Sequence, residues 1–277
     1  MTIFQKQINH YLNYCANVRK MSATTLTSKR STLNRFAEIT RCHSLKNLTN
    51  EVFNHWIEYE TGHHVSPRSI NTYNAIILAM VKYYREMGAT IPLKTPLIKK
   101  LKEGSTRRNF YTHAQIQQVL KFADPKTALM IRICFETGLR ISELTNLRLL
   151  NFTNCRINFI GKGNKPREVY ISAATFQAMQ QYIAQNQITD YLWAAKPGKL
   201  PPTSHGIRKR LRRPFLKAGF PDFYPHALRH SFATDLQARG ASIEEIREMV
   251  GHESIATTER YLHALDGHLS ELFLKYR

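Results

Sequence analysis

Apolar positions in the first hundred residues recur at helical spacing: Ile8, Tyr11 and Leu12, then Leu26, Leu33 and Phe36, then Val52, Phe53, Trp56 and Ile57. Residues three and four apart share one helix face, so the pattern predicts a bundle of amphipathic helices with almost no strand. Ser66-Pro67 places a capping residue before a proline at the first helical position, and the helix it opens carries Ile70, Tyr73, Ile77, Met80 and Tyr84 before Gly88 ends it. The pattern breaks between Pro92 and Phe110 and resumes at Thr112, where Thr112 and Gln115 form a capping box ahead of Ile116, Val119 and Leu120. A buried helix runs from Lys126 to the terminator Gly138, and Ile141, Leu144 and Leu147 line the next, which puts Arg140 at the elbow between them. β-formers cluster at Arg156-Ile157-Asn158-Phe159-Ile160 and Glu168-Val169-Tyr170-Ile171 on either side of Gly161-Lys162-Gly163-Asn164, a hairpin signal. Helical spacing then returns, with stops at Gly219, Gly240, Gly251 and Gly267. One of these helices is capped near Ser204, carries Ile207, Leu211 and Phe215, and is kinked by Pro214. After Gly267, Leu269, Leu272, Phe273 and Tyr276 mark an amphipathic helix too short to stand alone.

The expected fold is therefore mainly α with a small β-hairpin. It divides into an N-terminal helical bundle over 1–103, a basic linker over 104–111, and a mixed α/β domain over 112–277 ending in the amphipathic helix 268–277.

Charge narrows the partners. There are 40 Lys and Arg against 20 Asp and Glu, a formal net charge of +20, which favours a polyanion. A membrane surface would also accept that charge, but no run of about 18 apolar residues occurs and the segment Met1 to Gln7 is too polar for a signal peptide. The reading is a soluble, cytoplasmic protein with no membrane partner. Cys15, Cys42, Cys134 and Cys155 are scattered and read as reduced thiols. Two basic stretches are candidates for phosphate contact. In the first, Lys99, Lys100, Lys102, Arg107 and Arg108 face only Glu103, and a solvated connector is the competing reading. From Tyr191 to Pro221 there is no acid at all, and Arg208, Lys209, Arg210, Arg212 and Arg213 circle the outer face of one helix. With no acid in the segment to pair them, phosphate contact is favoured over a solvated face.

The candidate chemistry lies in short segments spread along the second half. Singly, each has an ordinary reading: Tyr261 as a packed tyrosine, Arg140 as the partner of Glu143, Lys162 as a turn lysine, His226 and Arg229 as a bonded pair on one helix face, His252 as a cap. Together they supply a phenol, two guanidiniums, an ammonium and imidazoles, the parts of a metal-free phosphoryl transfer. Glu244, Glu245 and Glu248 form an acidic patch, for which a Ser242/Glu245 capping box and a solvated face are a better account than a metal site.

In their order and wording these segments resemble the tyrosine recombinases, the family of phage integrases, Cre-like enzymes and Xer resolvases. Thr137-Gly138-Leu139-Arg140-Ile141-Ser142-Glu143-Leu144 is similar to the segment of the family's first arginine, and Gly161-Lys162-Gly163-Asn164-Lys165 to its lysine hairpin. His226-Ala227-Leu228-Arg229-His230 is similar to its His-x-Leu-Arg-His box, His252 to its later histidine and Tyr261 to its nucleophile. Ser22-Ala23-Thr24-Thr25-Leu26 looks like the opening of its core-binding domain, which implies a SAM-like N-terminal bundle and the simpler Xer-like or Cre-like two-domain layout. Pro214 and the loop Lys196 to Pro202 are atypical of it.

The resemblance implies cleavage and rejoining of duplex DNA through a 3′-phosphotyrosyl intermediate with Tyr261 as nucleophile. Arg140 and Arg229 would hold the non-bridging oxygens by charge-assisted hydrogen bonds. His226 would act as base, Lys162 as the acid for the departing 5′ oxygen, and His252 as a phosphate ligand. It further implies no cofactor, metal or ATP, a synaptic tetramer on DNA in which the terminal helix docks on a neighbour, with docking in cis on its own domain as the competing reading, and room for a partner recombinase or accessory protein. Two other readings remain: a type IB topoisomerase, and a non-catalytic DNA-binding protein on the same fold.

Overall fold

A computed structural model describes residues 2–104, 109–161, 166–196 and 198–251. The chain forms two compact units, residues 1–105 and 106–277. It is mostly helical with a small sheet, as the periodicity predicts. Among the described residues no helix is long and apolar enough to cross a membrane.

The first unit contains α1 (Ile3–Asn17), α2 (Ala23–Thr40), α3 (Asn50–Gly62) and α4 (Pro67–Glu86). Thr2, Ser22, Thr49 and Ser66 each cap one of them, the side-chain oxygen accepting a backbone N–H three residues on. The four helices bury Phe4, Ile8, Leu12, Leu33, Phe36, Phe53, Trp56, Ile77 and Met80 in one core. Polar groups inside it are satisfied: the Trp56 indole donates to Asn74 Oδ1 at 3.0 Å, and the fully buried Glu60 carboxylate accepts from Arg35 at 2.6 and 3.2 Å.

The basic stretch after Pro92 is bound to this unit up to Glu103, although its composition reads as a connector. Ile91 and Leu93 are buried in the core, Asn71 exchanges two hydrogen bonds with the Leu101 backbone and donates to Glu103, and Lys100 pairs with Glu103 at 3.1 Å. A charge-based reading misses this because two apolar side chains and one asparagine suffice to pin an otherwise polar strand.

The second unit contains α5 (His113–Leu120), α6 (Pro125–Thr137), α7 (Ile141–Thr145), β1 (Phe152–Thr153), β2 (Arg156–Ile160), β3 (Pro166–Tyr170), α8 (Ala173–Asn186), α9 (Ser204–Lys217), α10 (His226–Ala238) and α11 (Ile243–Val250). Helix α6 is buried nearly all round, with Leu129, Met130, Ile131, Ile133, Cys134 and Phe135 in the main core, where burial pushes the Cys134 thiol up to about 12. The capping boxes at Thr112 and Ser242 are both formed. Tyr111, within the stretch assigned to the linker, is buried; its ring lies 4.9 Å from Phe215 and its N–H donates to Ser231 Oγ at 2.7 Å.

The hairpin is in fact a three-stranded antiparallel sheet in the order β1-β2-β3. Strand β3 begins at Pro166, two residues before the run of β-formers, so Arg167 enters the ladder opposite Phe159. Helix α9 takes its cap from Thr203, and its hydrogen bonding continues past Pro214, whose carbonyl accepts the Ala218 N–H at 2.9 Å. The terminal helix 268–277 lies outside the described residues.

Candidate active site

Arg140 is positioned by a reversal of the chain. Helix α6 ends at Thr137, Gly138 turns in the left-handed region at φ +61°, and Arg140 becomes the residue before α7. Its backbone N–H donates to Glu143 Oε2 at 2.8 Å and its guanidinium to Glu143 Oε1 at 2.7 Å. The ordinary reading of Arg140 as partner of Glu143 is thus correct, and it does not exhaust the side chain: Nη2 donates to the Gly251 carbonyl at 2.9 Å.

Arg229, only 3% exposed on α10, donates from Nη1 to the Gly138 carbonyl at 2.7 Å and from Nη2 to the Val250 carbonyl at 2.5 Å. The two arginines thereby meet around the same two backbone segments, Gly138 to Arg140 and Val250 to Gly251. An arginine carries five N–H donors in a rigid fork, a geometry suited to holding an anion.

His226 opens α10 one turn before Arg229 and is exposed. Its pKa is lowered, first by partial loss of water around the ring, then by the positive charges of Arg229, Arg208 and Arg140, with Glu143 opposing. The shift favours the neutral imidazole, the form a general base requires.

Of the sequence-selected catalytic residues, Arg140, His226 and Arg229 come together; Lys162, His252 and Tyr261 lie outside the described residues, as do Arg107 and Arg108. Lys99 and Lys100 are exposed in the first unit, and Arg208, Lys209, Arg212 and Arg213 on α9. Arg210 is exposed on the same helix and has a partner as well. No acid is near it in sequence, but in space its guanidinium is held by both oxygens of Asp124, the cap of α6, at 3.2 and 3.1 Å, and by Thr127 Oγ1 at 3.2 Å. A segment without acids is not a surface without acids, and Arg210 is an inter-helix ion pair. Among the described residues no group of three or more His, Cys, Asp and Glu is arranged to hold a metal ion.

Sequence reasoning missed Arg167. Its guanidinium donates to the Met249 carbonyl at 2.6 Å, lies 3.5 Å from Glu143 Oε2 and sits over the Phe159 ring at 5.1 Å. Its period-two spacing with the buried Val169 was the available signal, obscured because the strand was started at Glu168.

A group of guanidiniums beside an imidazole defines a site for an anion, placed here on the mixed α/β scaffold of the second unit. The sequence model of the phage integrase family matches residues 109–268, and the chain belongs to that family. It is similar to the tyrosine recombinase XerC of Lactobacillus leichmannii, 33% identical over 178 residues, a match covering 58% of this chain and 60% of that protein. With XerC of Oceanobacillus iheyensis it shares 26% identity over 302 residues, covering 99% and 97%. Among solved structures it shares its fold with the XerH site-specific recombinase bound to palindromic difH substrate, at TM-score 0.75 and 22% identity over 94% of this chain and 82% of that one. The fold is also that of a lambda integrase dimer bound to a COC′ core site, at TM-score 0.77 and 14% identity over 94% and 95%.

Proposed function

We propose that the protein is a site-specific recombinase that cleaves and rejoins duplex DNA through a 3′-phosphotyrosyl intermediate. The observation that carries this reading is the convergence of Arg140 and Arg229 on the end of α11, with His226 one turn before Arg229 on α10; in sequence Gly251 is followed by His252 and, 10 residues on, Tyr261.

In the proposed first step the Tyr261 phenol oxygen attacks the phosphorus. His226 takes the phenolic proton, and the bond to the 5′ oxygen breaks with a proton delivered by Lys162. Charge gathering on the non-bridging oxygens is met by Arg140 and Arg229, with His252 as a further phosphate ligand. The free 5′-hydroxyl of a partner strand then attacks the phosphotyrosine and releases the phenol, so one phosphodiester replaces another and no ATP is consumed. Duplex DNA is the substrate and a tetramer of this chain on DNA the working assembly, in the cytoplasm. The DNA-bound states of the structural relatives support that partner. Lys99, Lys100, Arg208, Lys209, Arg212 and Arg213 are the proposed phosphate contacts.

The test is covalent trapping on a nicked target duplex located by footprinting the DNA around the chain's own gene. Wild type is expected to give a denaturation-resistant protein–DNA adduct and Tyr261→Phe none; an adduct with Tyr261→Phe removes the assignment.

A further inference from the structure

Arg167 is the described side chain whose bonding is least complete for its burial. It is 11% exposed, and its Nε and Nη1 are buried with no hydrogen-bond partner among the described residues. Burial pushes its pKa down, and the neighbouring charge of Arg140 adds to this while Glu143 opposes it. A guanidinium in such surroundings is retained only where the packing around it over-determines its place.

That packing is specific. The guanidinium lies against the Cα of Gly251, where an added Cβ would come within 2.7 Å of Nε. It grips α11 at the Met249 carbonyl and lies 3.5 Å from Glu143 Oε2, the oxygen that also accepts the Arg140 N–H, while Oε1 holds the Arg140 guanidinium. The last carbonyls of α11 are thus shared among three guanidiniums: Met249 with Arg167, Val250 with Arg229, Gly251 with Arg140. Along the chain, Arg167 lies 5 residues after Lys162, and Gly251 is directly followed by His252.

We propose that Arg167 is a positioning residue for strand cleavage: it clamps β3 to the end of α11 and, by sharing the Glu143 carboxylate, holds Arg140 in the orientation that meets the phosphate. This rests on the recombinase reading. Without Arg167, the Glu143 charge would act on Arg140 alone, drawing its guanidinium donors away from the anion, and the site would carry one positive charge fewer. The end of α11 would lose its tie to the strand at the same time.

The experiment compares wild type, Arg167→Ala and Arg167→Lys on the same nicked duplex, reading binding by gel retardation and adduct formation in a single turnover. Arg167→Ala is expected to bind DNA like wild type and cleave about 100-fold more slowly, the loss a small misplacement of catalytic groups produces. Arg167→Lys keeps the charge but not the fork, and is expected to recover about tenfold of that loss. Added methylguanidinium should raise the rate of Arg167→Ala and leave wild type unchanged, which a purely structural role would not do.

Wild-type cleavage by Arg167→Ala, or parallel loss of binding and cleavage in it, overturns the proposal. If Arg167→Ala fails to fold, Arg167→Lys decides: cleavage at the wild-type rate overturns the clamp, and binding with slow cleavage supports it. A wild-type protein that binds the duplex but forms no adduct brings down the recombinase reading itself, and the positioning role with it.

Discussion

Gly138 joins backbone conformation to the site. It turns in the left-handed region, a Cβ there would lie 2.5 Å from the Phe232 ring, and its carbonyl accepts from Arg229. Gly138→Ala therefore meets both a backbone penalty and a collision, and should cost about 2–4 kcal/mol by denaturant unfolding. A change below about 0.5 kcal/mol would mean that Phe232 moves freely aside. His226 gives a prediction in pH. Its folded-state pKa lies below the ordinary 6.5, so above pH 6.5 it is neutral in both states and contributes nothing to stability. As pH falls through 6.5 the unfolded chain takes up the proton first, and stability is lost. The rate of adduct formation should rise with pH along a limb centred below 6.5 and be level by pH 7, and His226→Gln should abolish that limb. Persistence of the limb in His226→Gln would assign the base elsewhere.

Elements are joined mostly by apolar faces, with a few polar contacts fixing which faces meet. In the first unit the Arg35–Glu60 pair joins α2 to α3, with Glu60 fully buried and Arg35 half exposed. Removing the arginine leaves a buried carboxylate alone. Arg35→Ala should cost about 2–3 kcal/mol, below the range for a fully buried pair because half of Arg35 already lies in water. Thermal unfolding of Arg35→Ala with Arg35→Ala/Glu60→Gln checks this, since the double variant should recover part of the loss. Helix positions, caps and stops were legible in the sequence because they rest on contacts three or four residues apart, as at Thr112 with Gln115 and Ser242 with Glu245. The start of β3 was not, because a proline and an arginine have no strand signature of their own and are drawn into the ladder by pairing with Ile160 and Phe159.

At the scale of the whole molecule, the net charge of +20 sets how the protein meets a polyanion. DNA affinity should fall steeply and linearly in log Kd against log salt, each phosphate contact contributing about 0.9 to the slope. Arg208→Ala or Arg212→Ala should each lower that slope by about one, while Arg210→Ala, already paired to Asp124, should leave it unchanged and instead reduce stability. A lowered slope in Arg210→Ala would return that arginine to the interface.

The sequence by itself determined the helical bundle, the mixed second unit and the family, and nominated the residues proposed for phosphoryl transfer, because periodicity, caps and motif spacing are written in neighbouring positions. Tertiary structure alone decided how the site is held. Arg140 meets Gly251 across 111 residues, Arg229 meets Gly138 across 91, and Arg167 meets Met249 across 82. It also gave Arg210 a partner by bringing Asp124 to it across 86 residues. The physical reason is the same in each case. A guanidinium's role depends on which carbonyl or carboxylate the fold brings within 3 Å of it, and no local pattern carries that information.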